Sequence, residues 1–361
     1  MELLYKPDWE ETKQRYLAWW AGEALDRCAI AVSAPRDGMP PATPPKAPAD
    51  PVTRWTDLDF ISQLNDYWHS RTFHGGECFP IWTGGYPGHT AIPAFLGCPT
   101  TLDHDTGWWD PILLGEDLDF ERLRVDREGR WWQFTIRMLE RAVKECAGKS
   151  IPSIGAFGGC GDTLAALRGT DRLLYDVMDR PDQVVAAEVF LMEMWCEVYE
   201  EFYRIVHPAA AGSTCWFPFW SPGRFYATQN DFSYMISPEM FRRLFLPVIE
   251  RQTRFLDHSV YHVDGVGAFA HVPALCELPR LQAIQILPGA GKPSALHYME
   301  TLKTVQRAGR NLQMWLAPQE VEPALSALSA RGLFISTWAA SEAEARRLLE
   351  NAKKWSKDRR V

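Results

Sequence analysis

A chain of 361 residues with 46% hydrophobic and 12% aromatic content has ample material for a packed core and is too apolar for intrinsic disorder. Its formal charge of −8, with 46 acids against 38 lysines and arginines, argues against a nucleic-acid or anionic-membrane surface, since both need clustered cations. Eight cysteines without a CxxC pair or a repeated spacing read as reduced, mostly buried thiols. The opening MELLYKPDWEETKQRYLAWW is acidic where a signal peptide is basic then apolar, and no 18-residue apolar stretch occurs, so a cytoplasmic protein is expected.

In chain order, an amphipathic segment at roughly 8 to 22 leads into CAIAVSAP, an apolar run suited to a buried strand. Residues 35 to 54 are so rich in proline that an extended surface excursion is expected there. A Gly-rich region follows, HGGECFPIWTGGYPGH, in which ECFPIWTGG holds a possible second strand.

From about residue 150 the pattern becomes regular. The runs IPSIGAFGG, AGSTCWFPFW, HSVYHVDG, LQAIQILPG, NLQMWLA and GLFISTWA alternate with helical patterns at 182 to 207, 237 to 257, 295 to 309 and 341 to 355. Such alternation calls for right-handed crossovers and a parallel sheet. With the two earlier runs the count reaches eight strands. The predicted fold is α/β, a closed (β/α)8 TIM barrel with an N-terminal extension and a Pro-rich loop, forming a single domain over 1–361. Within it, 1–150 supply the N-terminal helices, first strands and loop excursions, and 151–361 the regular repeats. A doubly wound open sheet is the alternative.

Helix starts set the register. Ser237 before Pro238 in SPEMF is an expected N-cap, and Asp162 after GGCG is expected to cap the next helix. The loops before these caps then lie at the carboxyl ends of the strands, where barrels place their chemistry. In YHVDG, residues two apart share a strand face, so His262 and Asp264 project together and Gly265 lets the chain turn away.

The same rim offers Gln285, Trp315, Trp338, Trp216 and Trp220, with Gln229 and Asp231 before Ser237 and with Glu77, Trp82 and Tyr86 from the Gly-rich region. Few polar groups among many aromatics describe a pocket for a planar or apolar small molecule, or for a quaternary ammonium held by cation–π contact. Each residue has a plainer reading as well. His262 and Asp264 could be a hydrogen-bonded strand end, Glu77 a solvated surface acid and Asp231 a turn residue, and most of the 16 tryptophans must be packing. His271 reads as structural.

No self-sufficient catalytic motif occurs. PGAGKPS fails as a P-loop because the first glycine of GxxxxGK would fall at Ile286, and there is no GxGxxG, HExxH, GxSxG or structural-zinc spacing.

From about residue 160 onward, GDTLAALRGTDRLLYDVMDRPDQV, ISPEMFRRLFLPVIERQ and YHVDG together resemble the uroporphyrinogen decarboxylase superfamily, which includes corrinoid-dependent methyltransferases. The SPEMF…LP segment is the most specific match, and the N-terminal third resembles a poorly characterised branch of that superfamily. The resemblance implies a (β/α)8 barrel with its site at the carboxyl rim. It also implies, for methyltransferase members, zinc held by a His-x-Cys pair at the strand end corresponding to HVD, with a distant second cysteine. Here His262 is retained, Asp264 stands where the cysteine would be, and ISTWAASEAEA offers no second thiol. What remains is a harder pair that could hold a divalent ion with Glu77 or water.

The Arg-rich N-terminal motif of porphyrinogen decarboxylation has no counterpart before residue 54. Methyl transfer between a small methylated compound and a corrinoid on a partner protein is therefore the leading expectation. His262, Asp264 and Asp231 are its acid/base candidates. A small-acid lyase or decarboxylase and a non-catalytic binding barrel are the alternatives, and a homodimer stays open.

Overall fold

The computed structural model describes residues 2–360. Eleven strands are present among them: β1 Ala29–Pro35, β2 Thr72–Gly76, β3 Ile81–Trp82, β4 Thr100–Leu102, β5 Gly107–Trp109, β6 Ile151–Pro152, β7 Phe225–Gln229, β8 His258–Asp264, β9 Ala283–Leu287, β10 Asn311–Trp315 and β11 Leu333–Trp338. Seven make one sheet in the order β2-β1-β11-β10-β9-β8-β7, parallel throughout except for the antiparallel β2. β3 pairs in parallel with β6, and β4 with β5 in an antiparallel hairpin. The α/β architecture, with a parallel sheet and flanking helices, is as expected.

The ladder is not closed. β2, which the strand count did not include, pairs along the edge of β1 where a barrel's next strand would lie. On the far side, AGSTCWFPFW forms no strand; its backbone meets 154–155 through Ile154 N to Thr214 O and Trp216 N to Gly155 O, at 3.0 and 3.2 Å. The sheet strand here is the later Phe225–Gln229. The physical reason lies in Pro218 and Pro222, which carry no backbone donor, and in Gly155 and Gly158, whose positive φ turns the chain out of β6 after two residues.

Helices largely follow the sequence pattern. Ser237 accepts from Met240 N with Pro238 in the first turn, but the 237–257 pattern divides into Pro238–Leu244 and Leu246–Phe255, where Pro247 interrupts the ladder. Residues 38–48 hold no regular element, and the short helix Pro51–Thr56 then starts on an Asp50 cap. No helix among the described residues is long and apolar enough to cross a membrane.

Two layers of packing decide where open space remains. On the sheet's outer side, the helix Pro181–Ala210 lays Trp195 against Phe157 and Tyr226 at 5.2 and 5.1 Å. On the inner side, the helix Trp9–Trp20 covers the amino end: Phe219 and Phe334 meet at 4.2 Å, Trp19 adds its ring at 5.0 Å from Phe219, and its indole donates to Gly332 O. The amino end is therefore filled with aromatic rings, and polar side chains on the inner face gather toward the carboxyl ends.

Candidate active site

Strand register builds the polar layer. Gln229, His262, Gln285 and Gln313 lie opposite one another on β7, β8, β9 and β10, so all four project from one face. The His262 Nδ1–H donates to Gln285 Oε1, which leaves Nε2 facing Asp264 Oδ2 at 3.8 Å. Gln313 is fully buried; its amide nitrogen donates to Ser336 Oγ at 3.0 Å while its oxygen has no partner. Trp216 meets the His262 ring edge-on at 5.2 Å. Past Asp264 the chain turns at Gly265, where φ is +85° and a Cβ would approach Tyr234 to 2.8 Å.

The second half of the site comes from the loop before the helix Asp162–Arg168. Asp162 caps nothing in its own helix. Instead Oδ1 accepts from Phe232 N at 3.0 Å and Oδ2 from the Gln229 amide at 2.9 Å, and the same Gln229 nitrogen lies 3.5 Å from Asp231 Oδ2. One amide thus bridges two carboxylates, with Gly161 turning at φ +72° to present the first. Behind that turn, Glu188 is buried on the long helix and both of its oxygens accept from Gly161 N at 3.0 Å.

These surroundings set the proton affinities. Burial, then the neighbouring Asp162 charge, pushes Asp231 up to about 7, against the opposing pull of His262. Asp231 keeps an edge open to solvent, so the lift comes from its recessed seat and its like-charged neighbour together. Asp162 is raised by burial despite its bonds to Gln229 and Phe232, and the charge of either acid disfavours ionisation of the other. Burial likewise lifts Glu188 to about 7.

His262 and Asp264 go the other way. Burial opposes the charged ring, but the bonds to Asp264 and Gln285 and the Asp231 charge outweigh it, and the His262 pKa rises. Asp264 is lowered by its bond to His262. Tyr86 is half exposed, yet burial of its hydroxyl and then the charges of Asp162 and Asp231 raise it, which puts the phenol beside the same acids.

The acid pair opens into a cavity of about 520 Å³ whose walls include Trp109, Pro111, Ala165, Phe232 and Met235. Trp109 arrives on the β4–β5 hairpin, its indole bonded to Gly88 O at 2.8 Å.

Of the residues expected at the rim, the structure brings together His262, Asp264, Asp231, Gln229, Gln285, Trp216 and Tyr86. Others lie elsewhere. Glu77 is not a pocket acid but is fully buried, its oxygens 2.6 and 2.9 Å from the Arg27 guanidinium and one of them accepting from Ile30 N at 2.5 Å. Trp82 is core, 2% exposed. Trp220 is packed under the amino end against Trp9, with its indole on Ala210 O. Trp315 and Trp338 stand exposed at the ends of β10 and β11, and Trp338 lines a separate surface cavity of about 470 Å³ with Pro318 and Glu344. His271 bonds Ser233 O and stacks on Phe241 at 4.3 Å.

Asp162 and Glu188 were missed as site residues. The helix-cap pattern accounted for the first, and the second is one acid in an ordinary helical stretch. The glycines just before Asp162, at 158, 159 and 161, were the available signal.

The donor set does not suit zinc. His262 and Asp264 supply two ligands, Glu77 is committed to Arg27, and no three His, Cys, Asp or Glu side chains among the described residues converge in metal-binding geometry.

No family model matches the chain, and no curated protein matches it in sequence. Among solved structures, a methyltransferase from Methanosarcina mazei superposes with a TM-score of 0.60, covering 95% of this chain and 98% of that one at 11% identity. The likeness is one of fold, and it singles out no branch of the resemblance read from the sequence.

Proposed function

We propose that this chain is a methyltransferase that takes a methyl group from the oxygen of a small, neutral methyl ether and passes it to a corrinoid carried by a partner protein. The observation that carries this reading is the Asp162–Gln229–Asp231 acid pair opening into the 520 Å³ cavity, on a fold like that of a methyltransferase. The same reading takes the open sheet and the β3–β6 pair as a parted (β/α)8 barrel with its mouth at the carboxyl ends.

Leaving-group chemistry favours the ether. Breaking an O–CH3 bond leaves an alkoxide or phenoxide that needs a proton, whereas a quaternary ammonium leaves as a neutral amine and needs none. Asp231, raised to about 7 beside a second carboxyl that is also raised, serves the first case. No Lys or Arg lines the cavity, so an anionic substrate would find no counter-charge there.

The reduced corrinoid, when bound, supplies the nucleophile for the methyl carbon. Asp231 gives its proton to the ether oxygen, which keeps the electron pair of the broken C–O bond and leaves as an alcohol. The Gln229 amide donates to the resulting carboxylate, the neighbouring His262, whose proton affinity is raised, favours its charge, and solvent at the exposed edge of Asp231 returns the proton. Gln285 holds the His262 ring in the orientation this requires.

The test uses purified protein with cob(I)alamin and methoxybenzene, following methylcobalamin and phenol together. Turnover is expected to fall as pH rises through about 7, the range in which Asp231 loses its proton. Asp231→Asn is expected to lower turnover by roughly 10²- to 10⁴-fold without unfolding the protein. Unchanged turnover in that variant, or preferential use of tetramethylammonium, would overturn the reading.

A further inference from the structure

A third cavity, of about 340 Å³, lies outside the acid-lined site and shares no residue with its walls. It sits between the helix Leu58–Arg71 and β3, and Trp55, Phe60, Leu64, Trp68 and Ile81 give it an apolar lining. Its size suits one or two fused rings, since a cavity of about 150 Å³ already admits benzene.

Its polar groups are few, and most are spent. The Asn65 amide bonds the backbone of Ile61 and Thr83, and His69 Nε2 bonds Ile81 O while burial lowers that ring's pKa and keeps it neutral. Arg54 is the exception. Its guanidinium lies 5.4 Å from the Trp55 ring centroid, its Nε is buried without a hydrogen-bond partner, and no carboxylate among the described residues is within ion-pair distance. No acid lines the cavity, so its one fixed charge is positive.

We propose that this cavity is a binding site for a small aromatic carboxylate. The ring would lie on the apolar wall between the Trp55 and Trp68 side chains, and the carboxylate would pair with Arg54, whose planar fork matches it in bidentate geometry. Thr83, Gly84 and Gly85 complete the lining, and Gly85 packs directly on Trp55, where a Cβ would come within 2.5 Å of the ring. The next residue is Tyr86, beside the acid pair. An occupant would therefore press on the loop that carries Tyr86 to the other site.

Calorimetry with benzoate and with its neutral isostere benzamide tests this in the full chain. Benzoate is expected to bind one per chain, roughly tenfold or more tighter than benzamide, because a charge-assisted pair is at stake. Arg54→Gln should erase that preference while leaving the circular dichroism spectrum unchanged, and Asp231→Asn should preserve it. Leu64→Trp, which fills the cavity, should abolish binding of both. Absence of saturable benzoate binding, equal affinity for benzamide, or binding that survives Arg54→Gln would each overturn the proposal. None of these measurements depends on methyl transfer, so the two readings fail separately.

Discussion

The amino and carboxyl ends of the sheet both place carboxylates out of bulk water and treat them in opposite ways. At the amino end, Glu77 is sealed against Arg27 and the Ile30 amide beneath a cover of aromatic rings. At the carboxyl end, Asp162, Asp231 and Glu188 have no Lys or Arg partner among the described residues and are held by amides and by one another's neighbourhood. Burial alone does not give an acid its role. A guanidinium fixes a carboxylate as a charged strut, whereas amide donors in a recess with a second acid leave it able to hold and release a proton near neutrality.

Exchanging the two kinds of acid breaks this contrast most sharply. Asp231→Asn should cost as much as 10⁴ in turnover, equivalent to about 5 kcal/mol of barrier, with little change in melting temperature. Glu77→Gln should do the reverse in kind. It leaves the buried Arg27 cation uncompensated and should destabilise the fold by about 3–5 kcal/mol, read as a lowered denaturant midpoint.

Glu188 sharpens the comparison through pH. Its folded-state pKa is raised, so the stability of its protonated form is fully present below the ordinary glutamate pKa and is lost as pH rises through about 7. Unfolding followed between pH 5 and 9 should show a loss to which Glu188 and the raised Asp162 and Asp231 all contribute, and Glu188→Gln should reduce it by on the order of 3 kcal/mol; a loss unchanged in that variant would refute the Glu188 share. The smallest effect is expected at Gln285→Ala, which frees the His262 ring. Turnover should fall about tenfold, with recovery in Gln285→Glu, whose oxygen can still accept from Nδ1.

Much of the scaffold could be read from local chemistry. Alternating apolar runs and cap residues located β8 to β11 to within a residue or two, and Ser237 and Pro238 marked their helix as expected. Where turn chemistry competed with apolar content, the reading failed. AGSTCWFPFW has the hydrophobicity of a strand, but prolines interrupt its donors, and the pairing strand lies a few residues later. β2 escaped notice because TFHGG is short and glycine-rich, and its pairing with β1 leaves the sheet open.

The candidate site divides along the same line. His262 and Asp264 could be placed on one face from their spacing, because strand geometry is set by adjacent residues. Glu77 looked like a rim acid until the fold put Arg27 beside it, some fifty positions away in the chain. Asp162 looked like a cap until the fold set Gln229 and Phe232 against it from nearly seventy positions away. Helix and strand identity, the caps and the His262–Asp264 alignment follow from short-range backbone geometry, and the chain alone carries them. Which acids are paired, which are stranded in low dielectric and which disfavour one another's ionisation depends on partners remote in sequence, and only packing in three dimensions decided that.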